Sequence, residues 1–319
     1  MKPSARALAL MLALIFCAAI FASCIEQKKK YNIEIIVAGT ETEFWRNAYA
    51  GAEAAAEEYN VNVKLFGPQF EADYYRQENI LRQSIERKPD MIVLAAADCS
   101  VTVELVDLAA KNGIPILAVD SHTGGSKLIA YVGSDNYELG RTLAREIKSR
   151  YNNKGGAVAV VSYIKGSMAA KEREDGFLEE LSGSPDFRLL ETVYCDSDAE
   201  TAKSLVFKLM SDNDDITAIA CLNAQSTIGA CKAIEEKGYQ GIVLAGVDCA
   251  AEEAELLERG ILDVALLQNS FAMGYLGVET AVKKLRGETP DTTIYTEFCV
   301  ITKENMFFEE NQRLIFPLS

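Results

Sequence analysis

Four side chains with flat polar ends stand directly behind apolar runs of this chain. Asp120 follows residues 116–119, Asn223 follows 219–222, Asp248 follows 244–247 and Gln268 follows 264–267. Each end group carries two hydrogen-bonding atoms in one plane, which suits the vicinal hydroxyls of a polyol. Taken singly, an Asp or Asn in such a place serves as readily as a helix cap. Four at equivalent positions point instead to one rim, because ligands of open α/β sheets bind beyond the carboxyl ends of the strands. The first apolar run ends in Gly39-Thr40-Glu41-Thr42-Glu43, followed by Phe44 and by Trp45, the only tryptophan. An aromatic face at a pocket mouth can lie against the C–H face of a sugar ring, and the alternative for either ring is the core.

Other chemistries are excluded by what the chain lacks. His122 is the only histidine, and no G-x-S-x-G elbow offers a serine for a triad built around it. Ser162-Tyr163-Ile164-Lys165 fits S-x-x-K and Ser134-Asp135-Asn136 reads S-D-N, but their order is reversed for a penicillin-recognising enzyme and no K-T-G follows. There is no G-x-G-x-x-G and no Walker loop. The acid pairs Glu179-Glu180 and Glu252-Glu253 lie in helical stretches and are expected on solvated faces. The expectation is a binding protein with no catalytic residues, no cofactor and no metal site. Of the eight cysteines, Cys17 and Cys24 belong to the N-terminal segment, and the other six are widely spaced without a C-x-x-C pair. Most of those six lie in or beside apolar runs, where a free thiol acts as a small hydrophobe, although the spacing leaves a disulfide open.

The elements that must position the rim are legible from rhythm. Short β-branched runs at 33–38, 91–95, 116–119, 157–161, 216–222, 242–247 and 262–267 alternate with amphipathic stretches at 47–59, 74–87, 138–151, 199–210 and 227–237. Continuous apolar strands suit a parallel sheet covered on both faces, and the alternation predicts a doubly wound α/β fold. Several stretches stop at Gly or Asn, as in Glu236-Lys237-Gly238. The chain of 319 residues is comfortable for two domains. No Pro/Gly/Ser linker separates them, so they would share continuous crossings near Gly133-Ser134-Asp135, Gln268-Asn269 and Phe298-Cys299.

The N-terminus suggests where these domains work. Lys2 and Arg6 precede an uncharged apolar run over residues 7–20, of secretory length and short for a membrane span. Phe21-Ala22-Ser23-Cys24 resembles the lipobox of bacterial lipoproteins, with lipid on the Cys24 sulfur and cleavage before it; the alternative is a plain signal peptide. Residues 1–23 then form the signal peptide and 24–30, with Lys28, Lys29 and Lys30, a tether near the outer face of the membrane. Removing 1–23 takes away Lys2, Arg6 and no acid, moving the formal net charge from −15 to −17. So acidic a surface disfavours nucleic acid.

From about residue 31 onward the chain resembles the ribose-type periplasmic binding proteins. The resemblance rests on the order of several segments: residues 88–94, Asn112-Gly113-Ile114-Pro115 leading to Asp120, and Val132-Gly133-Ser134-Asp135-Asn136. Residues 170–177, the strand end at Asn223, Gly246-Val247-Asp248, and Gln268-Asn269 before Met273-Gly274 complete it. It implies two doubly wound parallel-sheet lobes joined by a three-strand hinge, with residues 31–134 plus 269–298 in one and 135–268 plus 299–319 in the other. Carried over by position, the implied ligand contacts are Phe44, Trp45, Asp120, Arg173, Asn223, Asp248 and Gln268. Thr42 stands where sugar-binding relatives often carry Asn, Ser121 where pentose binders carry Arg, and Ser197 where they carry an aromatic; ribose itself is therefore not expected. With Glu41 and Glu43 near the pocket and His122 beside it, the ligand implied is a neutral or cationic polyol. The implied activity is that of a monomeric extracytoplasmic solute-binding lipoprotein that passes its ligand to the permease of an ABC importer. The same pocket would serve a sensor that engages a membrane histidine kinase or chemoreceptor.

Overall fold

The apolar runs become strands of two parallel sheets, and the amphipathic stretches become the helices that cover them. A computed structural model describes residues 30–124, 127–151 and 155–317 of the chain. The expected signal peptide (1–23), Cys24 and tether residues 25–29 lie outside the described residues. Among those described, no helix is long and apolar enough to cross a membrane.

In chain order the first lobe contains β1 (Asn32–Ile36), α1 (Glu43–Tyr59), β2 (Asn62–Phe66), α2 (Tyr74–Arg87), β3 (Met91–Leu94), α3 (Cys99–Lys111), β4 (Ile116–Val119) and β5 (Leu128–Gly133). The second continues with α4 (Asn136–Arg150), β6 (Gly156–Ser162), α5 (Met168–Ser182), β7 (Phe187–Leu189), β8 (Val193–Tyr194), α6 (Ala199–Asp212), β9 (Ile216–Cys221), α7 (Ala224–Lys237), β10 (Val243–Val247), α8 (Ala251–Glu258) and β11 (Val264–Gln268). The chain then returns through α9 (Ser270–Leu285) and β12 (Thr293–Tyr295) to the first lobe, and ends with β13 (Phe298–Ile301) and α10 (Glu309–Ile315).

The first sheet has the order β12-β5-β4-β3-β1-β2 and the second β13-β11-β10-β9-β6-β7, with β8 also beside β6. All pairings are parallel except β11 with β13. The fold is therefore two doubly wound α/β lobes, and the chain passes between the sheets three times: after Gly133, after Gln268, and between Tyr295 and Phe298. Phe298, read from the sequence as the last residue of the first lobe, pairs in register with Gln268 in the second sheet.

Helix patterning follows burial. On α2 the buried positions are Gln77, Leu81, Ser84 and Ile85, one stripe of a 3.6-residue period. Leu81 and Ile85 join Ile36, Ile92, Leu94, Leu105 and Ile116 in the core of the first lobe. Gln77 reaches through that core. Its Nε2 donates to the carbonyls of Val37 (2.9 Å) and Ala95 (2.7 Å), and its Oε1 accepts from the Ala97 amide (3.0 Å). One amide thereby fixes the segments leaving β1 and β3, including the start of the loop that ends at Thr42 and leads into α1.

In the second lobe two glycines set the position of α5. A Cβ on Gly140 of α4 would sit 2.0 Å from the carbonyl oxygen of Arg173, and one on Gly176 would sit 2.1 Å from that of Tyr137. The two helices approach backbone to backbone only because both positions lack a side chain. That approach delivers Arg173 to the base of the cleft.

Candidate functional site

Asp120 and Asp248 occupy equivalent corners of the two lobes. Each follows a central strand, β4 or β10, and each turns into the left-handed region, with φ 62° and 74°. Aspartate adopts that conformation more readily than most residues, and strain of this kind gathers at functional positions. The Asp120 amide still donates to Val132 O (3.0 Å) and the Asp248 amide to Leu266 O (2.9 Å), so each continues its ladder while the chain turns away. The first corner is further fixed by Asn136, whose Nδ2 donates to Asp120 O (3.1 Å), and by the Tyr131 hydroxyl 2.9 Å from the same oxygen.

Arg173 lies between the corners and is 2% exposed. Its Nε donates to Asn136 Oδ1 (2.8 Å), one terminal nitrogen to Leu222 O (2.8 Å) and the other to Gln268 Oε1 (3.2 Å). The guanidinium thus joins a residue of the first crossing, the end of β9 and the end of β11. Asp120 is reached only at 3.7 Å. Burial works against the charge of Arg173, yet Tyr163, Asp120 and Asp248 hold its pKa above the ordinary value. The long approach to Asp120 does not offset burial, which pushes that carboxyl up to about 7, with Asp248, Glu71 and Glu172 adding to the rise. Burial raises Asp248 too, opposed by Arg173 and by the Gln268 Nε2 that donates to its Oδ1 (2.8 Å).

One pocket is lined by Thr42, Phe44, Trp45, Asp120, Arg173, Asn223, Asp248 and Gln268 together. Eight of the nine positions expected from sequence therefore converge. Trp45 is 3% exposed, meets Phe44 edge to face at 4.8 Å, and donates from Nε1 to Glu71 Oε1 (2.9 Å). Asn223 is both cap and wall. Its Oδ1 accepts from the Ser226 amide (3.0 Å) and its Nδ2 donates to Ser197 Oγ (3.0 Å). Thr42 precedes α1 without capping it, and its buried hydroxyl has no partner.

Ser121 is the ninth, and it does not line the pocket. It is buried, and its Oγ accepts from the Ala169 amide (3.3 Å) in the first turn of α5, an acceptor supplied by one lobe to a helix of the other. His122 is likewise outside the lining, stacked on Tyr131 with ring centres 3.9 Å apart.

Four lining residues were missed: Glu71, Tyr163, Ala224 and Gln225. Glu71 matters most, since its Oε2 also accepts from Ser197 Oγ (2.6 Å) and so bridges the lobes. It sits in the loop after β2, an edge strand whose alternation at Val61, Val63 and Leu65 was the available signal. Tyr163 follows β6 directly, at the position already searched behind the other strands.

The cleft continues sideways from this pocket. A chamber of about 200 Å³ shares Thr42, Phe44, Ala224, Gln225, Asp248 and Gln268 with it, against about 40 Å³ for the pocket itself. Glu41 and Glu43 line this chamber rather than the pocket. So does Glu253, expected on a solvated face but 0% exposed, because the first turn of α8 points it inward. Among the described residues no cluster of His, Cys, Asp or Glu is arranged to hold a metal ion, and six thiols are unpaired.

A family model for the periplasmic binding protein domain matches residues 33–289. The chain belongs to that family. Among solved structures, this periplasmic binding protein is similar to an ABC transporter solute-binding protein from Agrobacterium vitis bound with α-D-tagatopyranose, at 30% identity and a TM-score of 0.86, covering 90% of this chain and 99% of that one. A sugar transporter structure from Clostridium phytofermentans is 31% identical with a TM-score of 0.78, covering 86% and 100%. The ribose import binding protein of Escherichia coli (strain K12) is 22% identical over 275 residues, 86% of this chain and 92% of that protein. The family resemblance read from about residue 31 onward and the two-lobed α/β fold are thus both established.

Proposed function

We propose that this periplasmic binding protein is a lipid-anchored receptor that captures a sugar-like polyol between its lobes and delivers it to the permease of an ABC importer. The observation that carries the reading is the convergence of Asp120, Arg173, Asn223, Asp248 and Gln268 with the ring of Trp45 in one interlobe pocket. Carboxylates and amides there accept and donate in pairs, and an aromatic ring supplies an apolar face. Hinge closure at the three crossings would bury the ligand between the lobes. The sugars bound by structural relatives support the same ligand class. The thinned basic character of the pocket, with Arg173 its single cation, favours an uncharged or positively charged ligand over a phosphorylated one.

The direct test is calorimetry or thermal shift against monosaccharides, linear polyols and nucleosides. A ligand of about ten to twelve heavy atoms is expected to bind with roughly micromolar affinity. A protein that melts cooperatively yet stays silent across the panel would contradict the sugar class.

Attachment through Cys24 has a separate test. Cys24→Ser is expected to lose radiolabelled fatty-acid incorporation and to move the protein from the membrane to the soluble fraction. Unchanged membrane retention without lipid label would assign the apolar run over residues 7–20 as the anchor instead.

A further inference from the structure

The side chamber has a chemistry that a bare sugar leaves unused. Its polar lining is acidic: Glu41, Glu43, Asp248, Glu252 and Glu253, with Arg46 the one basic side chain. Most of these groups already have protein partners. Arg46 donates to the Glu41 carbonyl (2.8 Å), Glu41 accepts from Gln69 (3.2 Å), Glu252 pairs with Lys232 (3.0 Å), and Glu43 accepts from the Ala251 amide (3.4 Å). Glu253 is different. Its Oε2 accepts from the Ala250 amide (3.1 Å), while Oε1 is buried without any donor. Within a protein interior such an orphan acceptor calls for a partner of its own.

The chamber opens off the pocket at Asp248 and Gln268, so a group projecting from a sugar held there enters it without leaving the site. We infer that the ligand carries a basic substituent, an ammonium group on or linked to the sugar ring, which occupies the side chamber between Asp248 and Glu253. This rests on the sugar-receptor reading and narrows it. An ammonium brings three donors and one positive charge, which answer the unpartnered Oε1 and the surplus of carboxylates in one step. Burial, with Asp248 nearby, pushes the Glu253 carboxyl up to about 8. A cation placed beside it would reverse that trend and draw out the ionised form. The apolar part of the wall, including Phe44, Ile228, Leu314 and Ile315, accommodates the methylene carbons that link an amine to the ring.

The test compares matched probes by calorimetry: free hexoses and pentoses with their amino-deoxy counterparts, and 2-hydroxyethyl with 2-aminoethyl glycosides of the same sugars. At least one amine is expected to bind about 10- to 100-fold tighter than its neutral match, the size of one charge-assisted hydrogen bond. In Glu253→Gln, which keeps the acceptor for the Ala250 amide, that ratio is expected to fall below about threefold. Neutral sugars binding as tightly as their amines would overturn the inference and leave the sugar-receptor reading standing. An advantage for amines that survives Glu253→Gln would overturn the role given to the chamber. Silence of every probe, with a folded protein, would overturn both readings.

Discussion

Arg173→Ala is expected to abolish detectable ligand binding and to destabilise the ligand-free protein by about 3 kcal/mol or more. Sequence implies a ligand contact at this position, and the structure adds a role in holding the fold. The side chain ties Asn136, Leu222 and Gln268 together at 2.8–3.2 Å. Truncation leaves a carbonyl and two amide oxygens without their donor. It also leaves Asp120 and Asp248 facing each other with no cation between them, and an uncompensated buried charge is the larger part of the loss. Denaturant titration and calorimetry read the two effects separately. Adding Asp120→Asn to Arg173→Ala should recover part of the stability and none of the binding. Near-native affinity in the single variant would mean that the pocket lies elsewhere.

Asp120→Asn makes the opposite pairing of effects. Asparagine tolerates the φ of 62° at this corner, so the backbone is left undisturbed, which alanine would not ensure. Binding is expected to weaken about 100-fold or more, because hydroxyls that donated to a carboxylate meet an amide instead. Ligand-free stability at pH 8 should not fall.

The reason lies in the direction of the titration. The folded chain holds a proton on Asp120 up to about pH 7, whereas an unfolded aspartate releases it near pH 4. Between those values the native state binds more protons than the unfolded state, so stability decreases as pH rises. Its contribution is complete below about pH 4 and gone above about pH 7, and Glu253 extends the decline to about 8. Carboxyls lowered by partners, such as Glu180 beside Lys148, act at more acid pH, outside this window. The melting temperature without ligand should therefore fall from pH 5 to pH 8, and less steeply in Asp120→Asn. A profile that rises over that range would place these carboxyls in water rather than in a closed cleft.

Much of this arrangement was legible because burial on both faces writes parallel strands as unbroken apolar runs. Several polar residues at equivalent places behind such runs share one rim, which is how Asp120, Asn223, Asp248 and Gln268 could be read together. Edge strands write a weaker signal. β2 alternates between exposed and half-buried positions, so neither it nor the loop carrying Glu71 stood out. The role of Ser121 was equally hidden, since its partner, the Ala169 amide, lies in the other lobe and belongs to backbone rather than to a recognisable side chain. Asn136 sat inside a segment that marked the family, but only the three-dimensional structure joins it to Arg173 on one side and Asp120 on the other. Glu253 is the converse case: a neighbour of the solvated Glu252, it differs by one position on the helix and by its whole environment.

Gln268 holds Arg173 and Asp248 with its side chain, while its backbone pairs with Phe298 where the chain makes its last passage between the sheets. In the proposed binding mode, the grip on the cargo and the axle of the jaw are consequently one residue. Two cargoes that differ by a single hydroxyl at this spot would set different angles between the lobes. A docking partner far from the pocket could then tell them apart by the spacing of the two surfaces it touches, without ever meeting the molecule inside.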